Sequence, residues 1–498
     1  MTAEAFKDTG KERVDDVPSD SGPIQAGDEP VPVDPELVRR VFPDGSIRGL
    51  TLSLPGYGLV VYDKAILGSA ALFGMVDDLD LRVGDSTSRL SWATSLFYLG
   101  QLAGSYPTTY LVQHFRTRWT VGPAVMIWAI VAASAAGCKT YQGLFAQRFF
   151  LGFSEAIIPT SFMSIISGFY TQEEQAARQT LWFSGAGWFT AIGPILNYGF
   201  AQIDGGALHS WQYCFVFAGI LTSLFGLWAF FMPDSPTDAW FLTGEERVTA
   251  VERLRAGQTG IRNHEIKLDQ IKESILDPTV WLVFVMMASG YTANGAVTGF
   301  GPLIVSTFGY STLSSALFQM PIGFLCVLSS LLTGLAASRW RNIRFPLLLA
   351  CCAPVIAGYI IIWKSSWGDR PAAPVAGYSI IGFFGGVVGL VVPIASSNVA
   401  GDTKRSFTAA AVFAGYCVGN IVGPQMVVSS EKERHYPTLW SGLIGCYMIT
   451  IVATSTLWFL LWRENKRRAG LNLDKAEAGR LGFHDLTDRQ NLHFVYKL

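Results

Sequence analysis

Residues 345–363, FPLLLACCAPVIAGYIIIW, extend for about the length of a membrane-spanning helix without a charged side chain. A helix needs about 20 apolar residues to cross the ~30 Å hydrocarbon core of a bilayer, so this stretch predicts a transmembrane helix. The whole chain has the same character, because half of its 498 residues are hydrophobic and only 15% are charged. A soluble protein carries about a quarter charged residues. The sequence therefore predicts an all-α polytopic membrane protein.

Twelve stretches of this kind occur along the chain. The first is the weakest, because Ser53, Pro55, Gly56 and Gly58 interrupt it. An even number of spans puts both termini on one side of the membrane, and the loops on that side are rich in Lys and Arg, which predicts cytoplasmic termini. The predicted spans are residues 47–72, 89–112, 119–138, 143–168, 180–203, 211–232, 279–305, 312–337, 343–363, 373–397, 405–428 and 438–462.

The spans divide into two halves of six. Gly193-Pro194 in the fifth span and Gly423-Pro424 in the eleventh occupy corresponding positions. This repeat predicts two pseudo-symmetric six-helix bundles related by an axis along the membrane normal. The predicted parts are a disordered acidic cytoplasmic tail at 1–46, an N-terminal bundle at 47–232, a cytoplasmic linker at 233–278, a C-terminal bundle at 279–462 and a cytoplasmic tail at 463–498.

The composition argues against several classes of function. A net charge of −1 gives no reason to expect a nucleic-acid partner. The seven cysteines show no metal-ligand spacing and are expected to pack as small apolar residues. No nucleophile–base spacing stands out from the apolar background, so we expect neither an enzyme nor a metal or organic cofactor.

Charged residues inside the fourth span point to a function. Ionisable side chains at bilayer depth cost several kcal/mol each, so a chain that keeps them is expected to use them. Arg148 and Glu155 are two helical turns apart and share one helix face, with Gly152 between them. We expect an anion to bind at Arg148 while Glu155 exchanges a proton. The alternative is a structural ion pair with neighbouring helices. Pro159 predicts a kink one turn further on.

A second charged pair lies in the first span. Asp63 and Lys64 are adjacent, about 100° apart around a helix, and cannot simply neutralise each other. Each therefore needs a partner on another helix, or water. We expect Lys64 to be a second anion contact and Asp63 to be a proton acceptor or the partner of Arg148. The alternative is that both side chains reach the membrane interface.

Other polar residues within the spans give weaker signals. Trp182 in the fifth span and Asn294 in the seventh are the best candidates to line a substrate cavity. Tyr291, Tyr416 and Asn420 are further candidates, although hydrogen bonding between helices explains most residues of this kind.

Two motifs carry a family resemblance. Residues 62–74, YDKAILGSAALFG, resemble the first-span signature of the fungal allantoate permease family, in the anion:cation symporter branch of the major facilitator superfamily. Residues 148–156, RFFLGFSEA, resemble the fourth-span motif of the same family. Further segments that resemble the family are residues 182–184, 231–236, 241–260, 397–405, 415–425 and 485–491.

The resemblance implies proton-coupled import of small carboxylate-bearing solutes, such as ureides, vitamins or their precursors, and short peptides. It implies that Asp63, Lys64, Arg148 and Glu155 form the coupling and binding machinery, and that the proton gradient is the driving force. Expected partners are a small organic anion, protons and the lipid bilayer. We expect a functional monomer, in the plasma membrane rather than the vacuole.

Two other functions remain open from the sequence. The first is export of a metabolite by proton antiport, because Gly193-Pro194 loosely resembles an antiporter signature. That signature continues with Gly-Gly, where this chain has Asn197-Tyr198. The second is a nutrient sensor that binds a solute without moving it. Sensors of this kind usually have a long signalling tail, and the tails here are short.

Overall fold

A computed structural model describes residues 54–498 except 85, 171, 204–205, 234, 257–266, 341, 368–370 and 472–485. The predicted tail at 1–46, the predicted span start at 47–53 and parts of the linker and C-terminal tail lie outside the described residues. Within the described part of the chain, the backbone is helical apart from turns, loops and one isolated bridge between Val83 and Ser86.

Twelve long helical segments follow one another at the predicted positions. Among the described residues, nine of these segments have the length and hydropathy of a membrane span. The other three are the second, fourth and fifth segments. The segments are Leu54–Ala70 with its continuation to Asp78, Ser88–His114, Thr117–Ser134, Tyr141–Glu155 with Ile157–Phe169, Gln172–Ala201, Ser210–Ala229, Pro278–Ser306, Thr312–Leu317 with Gln319–Arg339, Arg344–Lys364, Ala372–Ile380 with Phe384–Ser397, Asp402–Gln425 and Pro437–Ala469.

Glycines set the close contacts in the N-terminal bundle. A Cβ atom on Gly152 of the fourth span would collide with the Phe97 carbonyl oxygen of the second span. A Cβ atom on Gly58 of the first span would collide with the Phe189 ring of the fifth. Helix backbones approach this closely only where a residue has no side chain.

The C-terminal bundle repeats these contacts between the corresponding helices. Gly419 of the eleventh span lies against the Ala288 carbonyl oxygen of the seventh. A Cβ atom on Gly382, between the two helices of the tenth span, would lie 2.5 Å from the Ile322 carbonyl oxygen of the eighth. Spans one and five therefore correspond to spans seven and eleven, and spans two and four to spans eight and ten. The molecule consists of two pseudo-symmetric six-helix bundles.

The fourth span is interrupted in the middle of the membrane domain. Its first helix ends at Glu155, and the second begins at Ile157. Pro159 has no backbone N–H to donate to the Glu155 carbonyl oxygen four residues earlier, which explains the break. The helix is therefore interrupted one turn before Pro159, where the sequence predicts a kink, and the interruption lies next to a candidate functional residue.

The two bundles touch near one end of the molecule. We call the end where the seventh and eleventh spans begin the terminal face, and the opposite end the far face. Near the far face, Ser91 Oγ donates a hydrogen bond to the Pro424 carbonyl oxygen (3.0 Å) and Ser95 Oγ donates one to the Ile421 carbonyl oxygen (3.0 Å). The Gln425 side-chain amide donates to Ser95 Oγ (3.0 Å). The far face is thus held closed by contacts between the second and eleventh spans.

Short helices and a long final helix complete the terminal face. The linker contains the helices Gly244–Ala256 and Leu268–Leu276. The twelfth span continues as helix to Ala469, beyond the predicted end at residue 462. Glu464 forms ion pairs with Arg467 and Arg468, three and four residues later (2.6 and 2.8 Å), and such pairs stabilise a helix outside the membrane.

Candidate functional site

The first span places its acidic and basic pair in the interior of the protein. Asp63 is 2% exposed, and the Lys64 side chain is 8% exposed. Both residues belong to the helix Leu54–Ala70, which has apolar neighbours before and after them. Both side chains are thus enclosed by protein rather than exposed at its surface.

Lys64 forms an ion pair with the fourth span. Its Nζ atom lies 2.9 Å from Glu155 Oε1, and the Glu155 side chain is completely buried. Glu155 Oε2 has no hydrogen-bond partner. The pair joins the first span to the fourth at the kink described above. It brings together two of the four charged residues that the sequence analysis selected.

The same ammonium group also contacts the other bundle. Lys64 Nζ donates a hydrogen bond to the hydroxyl oxygen of Tyr416 in the eleventh span (3.3 Å). The Tyr416 ring packs against Tyr98 of the second span and Tyr291 of the seventh, with ring centroids 5.7 and 4.7 Å apart. Lys64 Nζ also lies 5.0 Å from the centroid of the Phe97 ring, a cation–π distance. Lys64 is therefore a charged group in an aromatic setting where the two bundles meet.

Arg148 is the second cation of the site, and it lies two helical turns before Glu155 in the fourth span. It is 1% exposed, and its Nε and Nη2 atoms have no hydrogen-bond partner. Its guanidinium carbon lies 5.2 Å from the centroid of the Phe215 ring in the sixth span. A buried charged donor without a partner is costly in free energy, because the hydrogen bonds that it made to water are not replaced by hydrogen bonds to protein. Such a group is expected to find its partner in another state of the protein.

Asp63 is also a buried ionisable group without a hydrogen-bond partner, but its charge is negative. Neither of its carboxylate oxygens has a hydrogen-bond partner. The indole of Trp128 in the third span lies beside this carboxyl group, but its Nε1–H is not in hydrogen-bond geometry. Arg148 is within electrostatic reach of Asp63 without a direct ion pair in the described contacts. The two residues thus remain neighbours rather than partners.

The two weaker candidates have different outcomes. The Asn294 side-chain amide donates to Asn420 Oδ1 (2.7 Å), and Asn420 donates to the Tyr416 carbonyl oxygen (2.8 Å). Asn294 therefore takes part in a hydrogen bond between the seventh and eleventh spans. Its partner Asn420 lies one helical turn from Tyr416, so the contact is close to the charged site. Trp182 belongs to the helix Gln172–Ala201, and its side chain lies outside the described residues.

Sequence reasoning missed several members of this site. Trp128, Phe97 and Tyr98 were not selected, because an aromatic residue in an apolar span is normally lipid-facing or core material. Tyr416 was considered only as one of several polar residues. Its proximity to Lys64 depends on how two halves of the chain meet, and no local spacing encodes that distance.

Comparisons with known proteins identify the class. The family model described as Major Facilitator Superfamily matches residues 54–424. The fold agrees: the solved structure described as the D-xylose-proton symporter superimposes with a TM-score of 0.62 at 14% identity, covering 82% of this chain and 97% of that one. The chain belongs to the major facilitator superfamily and is an integral, multi-pass membrane transporter rather than an enzyme.

Two relatives narrow the family further. The allantoate permease of Saccharomyces cerevisiae is 30% identical over 466 residues, covering 89% of this chain and 83% of the relative. The thiamine pathway transporter of the same yeast is 32% identical over 447 residues, covering 88% and 83%. Within the superfamily, the chain therefore belongs with the fungal transporters that include allantoate permease, as the motifs at 62–74 and 148–156 predict.

Proposed function

We propose that this protein is a proton-coupled symporter of a small organic anion. The observation that supports this most is the Lys64 ammonium group, which is buried, paired with Glu155 in one bundle and hydrogen-bonded to Tyr416 in the other. A transporter that alternates between two open states needs a binding group that both bundles contact. Lys64 satisfies that requirement.

The proposed substrate carries a carboxylate. An ammonium group has three N–H donors. In this structure Lys64 donates one hydrogen bond to Tyr416 and forms an ion pair with Glu155. A substrate carboxylate would bind to the remaining donor or replace one of these partners, and the unpartnered N–H groups of Arg148 would provide a second contact. The name of the yeast allantoate permease is in keeping with a carboxylate substrate.

Charge balance explains why a proton would accompany the anion. Asp63, Lys64, Arg148 and Glu155 sum to zero, with two cations and two carboxylates. A bound anion would leave the buried site with a net charge of −1, which is costly at low dielectric. One proton taken up with the anion restores neutrality. Glu155 is the proposed acceptor, because its protonation would also release Lys64 for the substrate, and Asp63 is the second candidate.

Alternating access would then expose the site to each side in turn. The far face is closed by the contacts of Ser91 and Ser95 with the eleventh span. If the termini are cytoplasmic, as the Lys- and Arg-rich loops predict, the structure corresponds to a state closed to the outside. Because one proton would accompany each singly charged anion, no net charge would cross the membrane, and the pH gradient would drive accumulation. We propose that the transporter acts as a monomer in the plasma membrane.

Uptake measurements test this proposal. A fungal strain that lacks its own carboxylate permeases would express the protein and receive a panel of labelled solutes, including allantoate and its uncharged amide analogue. We expect uptake of at least one carboxylate, faster at acidic than at neutral external pH, and no uptake of the amide. Efflux of a preloaded solute without uptake would indicate an exporter instead. Binding without accumulation would indicate a sensor.

A further inference from the structure

A second buried lysine lies at the terminal face, far from the transport site. Lys404, at the start of the eleventh span, has a fully buried side chain. Its Nζ atom lies 2.8 Å from Glu273 of the linker helix, 2.6 Å from Asp277 at the start of the seventh span and 2.8 Å from Asp488 near the C-terminus. The ammonium group donates a hydrogen bond to Glu273 and lies within ion-pair distance of the other two carboxylates.

These carboxylates are satisfied by further contacts. Asp277 also pairs with Arg489 (3.0 Å). Burial, the largest single influence, opposes ionisation of Asp277. Lys404, the Thr279 backbone N–H and Arg489 together outweigh it and lower the pKa of that carboxyl group below its usual value. Thr487 Oγ1 donates to the second carboxylate oxygen of Glu273 (2.9 Å). The lysine thus occupies the centre of the three carboxylates, where a cation would otherwise be needed.

An arginine fixes the shape of the adjoining C-terminal segment. Arg468 of the twelfth span donates hydrogen bonds to the carbonyl oxygens of Asp488 (2.9 Å), Asn491 (3.3 Å) and Phe494 (2.8 Å). Because these three acceptors are backbone carbonyl oxygens, the contacts require a particular backbone conformation of the segment and do not require charged side chains on it. Arg468 contributes to the positive-inside pattern in the sequence, and the structure gives it this additional use.

Two asparagine side chains form paired hydrogen bonds with the backbone of the segment, each accepting from an N–H group and donating to a carbonyl oxygen of one residue. The Asn398 side chain accepts from the Lys497 N–H (2.7 Å) and donates to the Lys497 carbonyl oxygen (3.0 Å). The Asn465 side chain makes the same two contacts with Tyr496 (2.9 and 2.8 Å). Tyr496 is itself buried, and its hydroxyl group donates to Asp488 Oδ2 (2.8 Å).

We propose that the terminal face of the C-terminal bundle is a docking surface for residues 486–498 of this chain, which act as a strap. The strap would join the ends of the seventh, tenth, eleventh and twelfth spans to the linker helix Leu268–Leu276, so that they move as one unit. The linker connects the two bundles, so the strap fixes the end of that connection to the moving C-terminal bundle. This proposal does not depend on the nature of the transported solute.

Hydrogen exchange on the full-length protein in lipid nanodiscs tests the strap. Within residues 491–497, we expect the amides of five residues to exchange at least ~100-fold more slowly than in a free peptide of the same sequence, because each is hydrogen-bonded within the fold. They are the amides of Asn491, His493, Phe494, Tyr496 and Lys497. Asp488→Asn removes one of the three carboxylates around Lys404. Arg468→Lys keeps the positive charge but loses the forked N–H donors of the guanidinium group. We expect each variant to accelerate exchange at these five amides.

Arg467→Lys is the matched control, because Arg467 is the exposed neighbour of Arg468 and pairs only with Glu464 among the described contacts. We expect it to leave exchange unchanged. Exchange at the free-peptide rate in the unmodified protein would overturn the proposal, even if the variants fail to fold. Unchanged protection in a folded Asp488→Asn protein would also overturn it.

Discussion

At the scale of single residues, Tyr416 is the contact between the C-terminal bundle and the Lys64 ammonium group. Tyr416→Phe removes the hydroxyl group and keeps the ring that packs against Tyr98 and Tyr291. A hydrogen bond to a charged group contributes about 1.5–3 kcal/mol. Because the hydroxyl group holds the ammonium group that would bind the carboxylate, we expect the KM of carboxylate uptake to rise roughly tenfold with little loss of protein from the membrane. An unchanged KM would show that the hydroxyl group takes no part in binding.

Arg148 gives a second residue-scale test. Arg148→Ala removes the buried guanidinium group whose Nε and Nη2 atoms have no partner in this structure. If the group binds the substrate carboxylate, uptake should fall at least tenfold, and Arg148→Lys should restore part of it because the charge is kept. Binding of labelled substrate to purified protein provides the measurement. Affinity that is equal in the wild-type and Arg148→Ala proteins would make Arg148 a purely structural residue.

Sequence patterns predicted part of this site and could not predict the rest. The seven-residue spacing of Arg148 and Glu155 predicts a shared helix face, and both are buried on it. The ion pair of Glu155 with Lys64 spans 91 positions of sequence, so only the packing of the first and fourth spans determines it. The sequence also could not predict the contacts of Lys404. Its positive charge helps to predict which loops are cytoplasmic, but its three carboxylate partners come from separate parts of the chain.

At the scale of helices, glycine determines how closely the spans approach. Gly152→Ala would force its Cβ atom against the Phe97 carbonyl oxygen, and overpacking of this kind costs about 1–3 kcal/mol. We therefore expect a lower thermal unfolding temperature in detergent. Gly445→Ala is the control, since nothing lies within 4 Å of its added Cβ atom, and helix propensity favours the change. Equal unfolding temperatures for the two variants would contradict the packing argument.

Helix positions were predictable because apolar length is a property of the sequence itself. The predicted spans at 279–305 and 373–397 match Pro278–Ser306 and Ala372–Ser397 closely. The twelfth span extends to Ala469 because ion pairs of Glu464 stabilise helix beyond the apolar stretch. Hydropathy detects only the apolar part of such a helix, so the predicted span ends before the helix does.

At the scale of the whole molecule, the far-face contacts should open during transport. The Thr87 and Ser429 hydroxyl groups lie 2.6 Å apart across the two bundles. A Thr87→Cys/Ser429→Cys protein should lose transport on oxidation and regain it on reduction, because a disulfide would hold the far face closed. We would measure uptake before and after each treatment.

A cross-link inside one bundle is the matched control. The Ser311 and Ser314 hydroxyl groups lie 2.9 Å apart at the far face and belong to the same bundle. Oxidised Ser311→Cys/Ser314→Cys protein should transport normally, as should the oxidised wild-type protein with its seven native cysteines. Full activity of the oxidised Thr87→Cys/Ser429→Cys protein, with the disulfide verified by mass spectrometry, would argue against alternating access through this face.

The most direct measurement follows protons and anions together in proteoliposomes that contain purified Glu155→Gln protein. The wild-type protein should accumulate a carboxylate substrate against its gradient when the outside is acidic, with proton entry reported by an internal pH dye. Because the glutamine amide of the variant cannot take up the proton, we expect the variant to exchange labelled for unlabelled substrate without net accumulation and without proton entry. Accumulation that still depends on the pH gradient would contradict the assignment of Glu155 as the coupling residue.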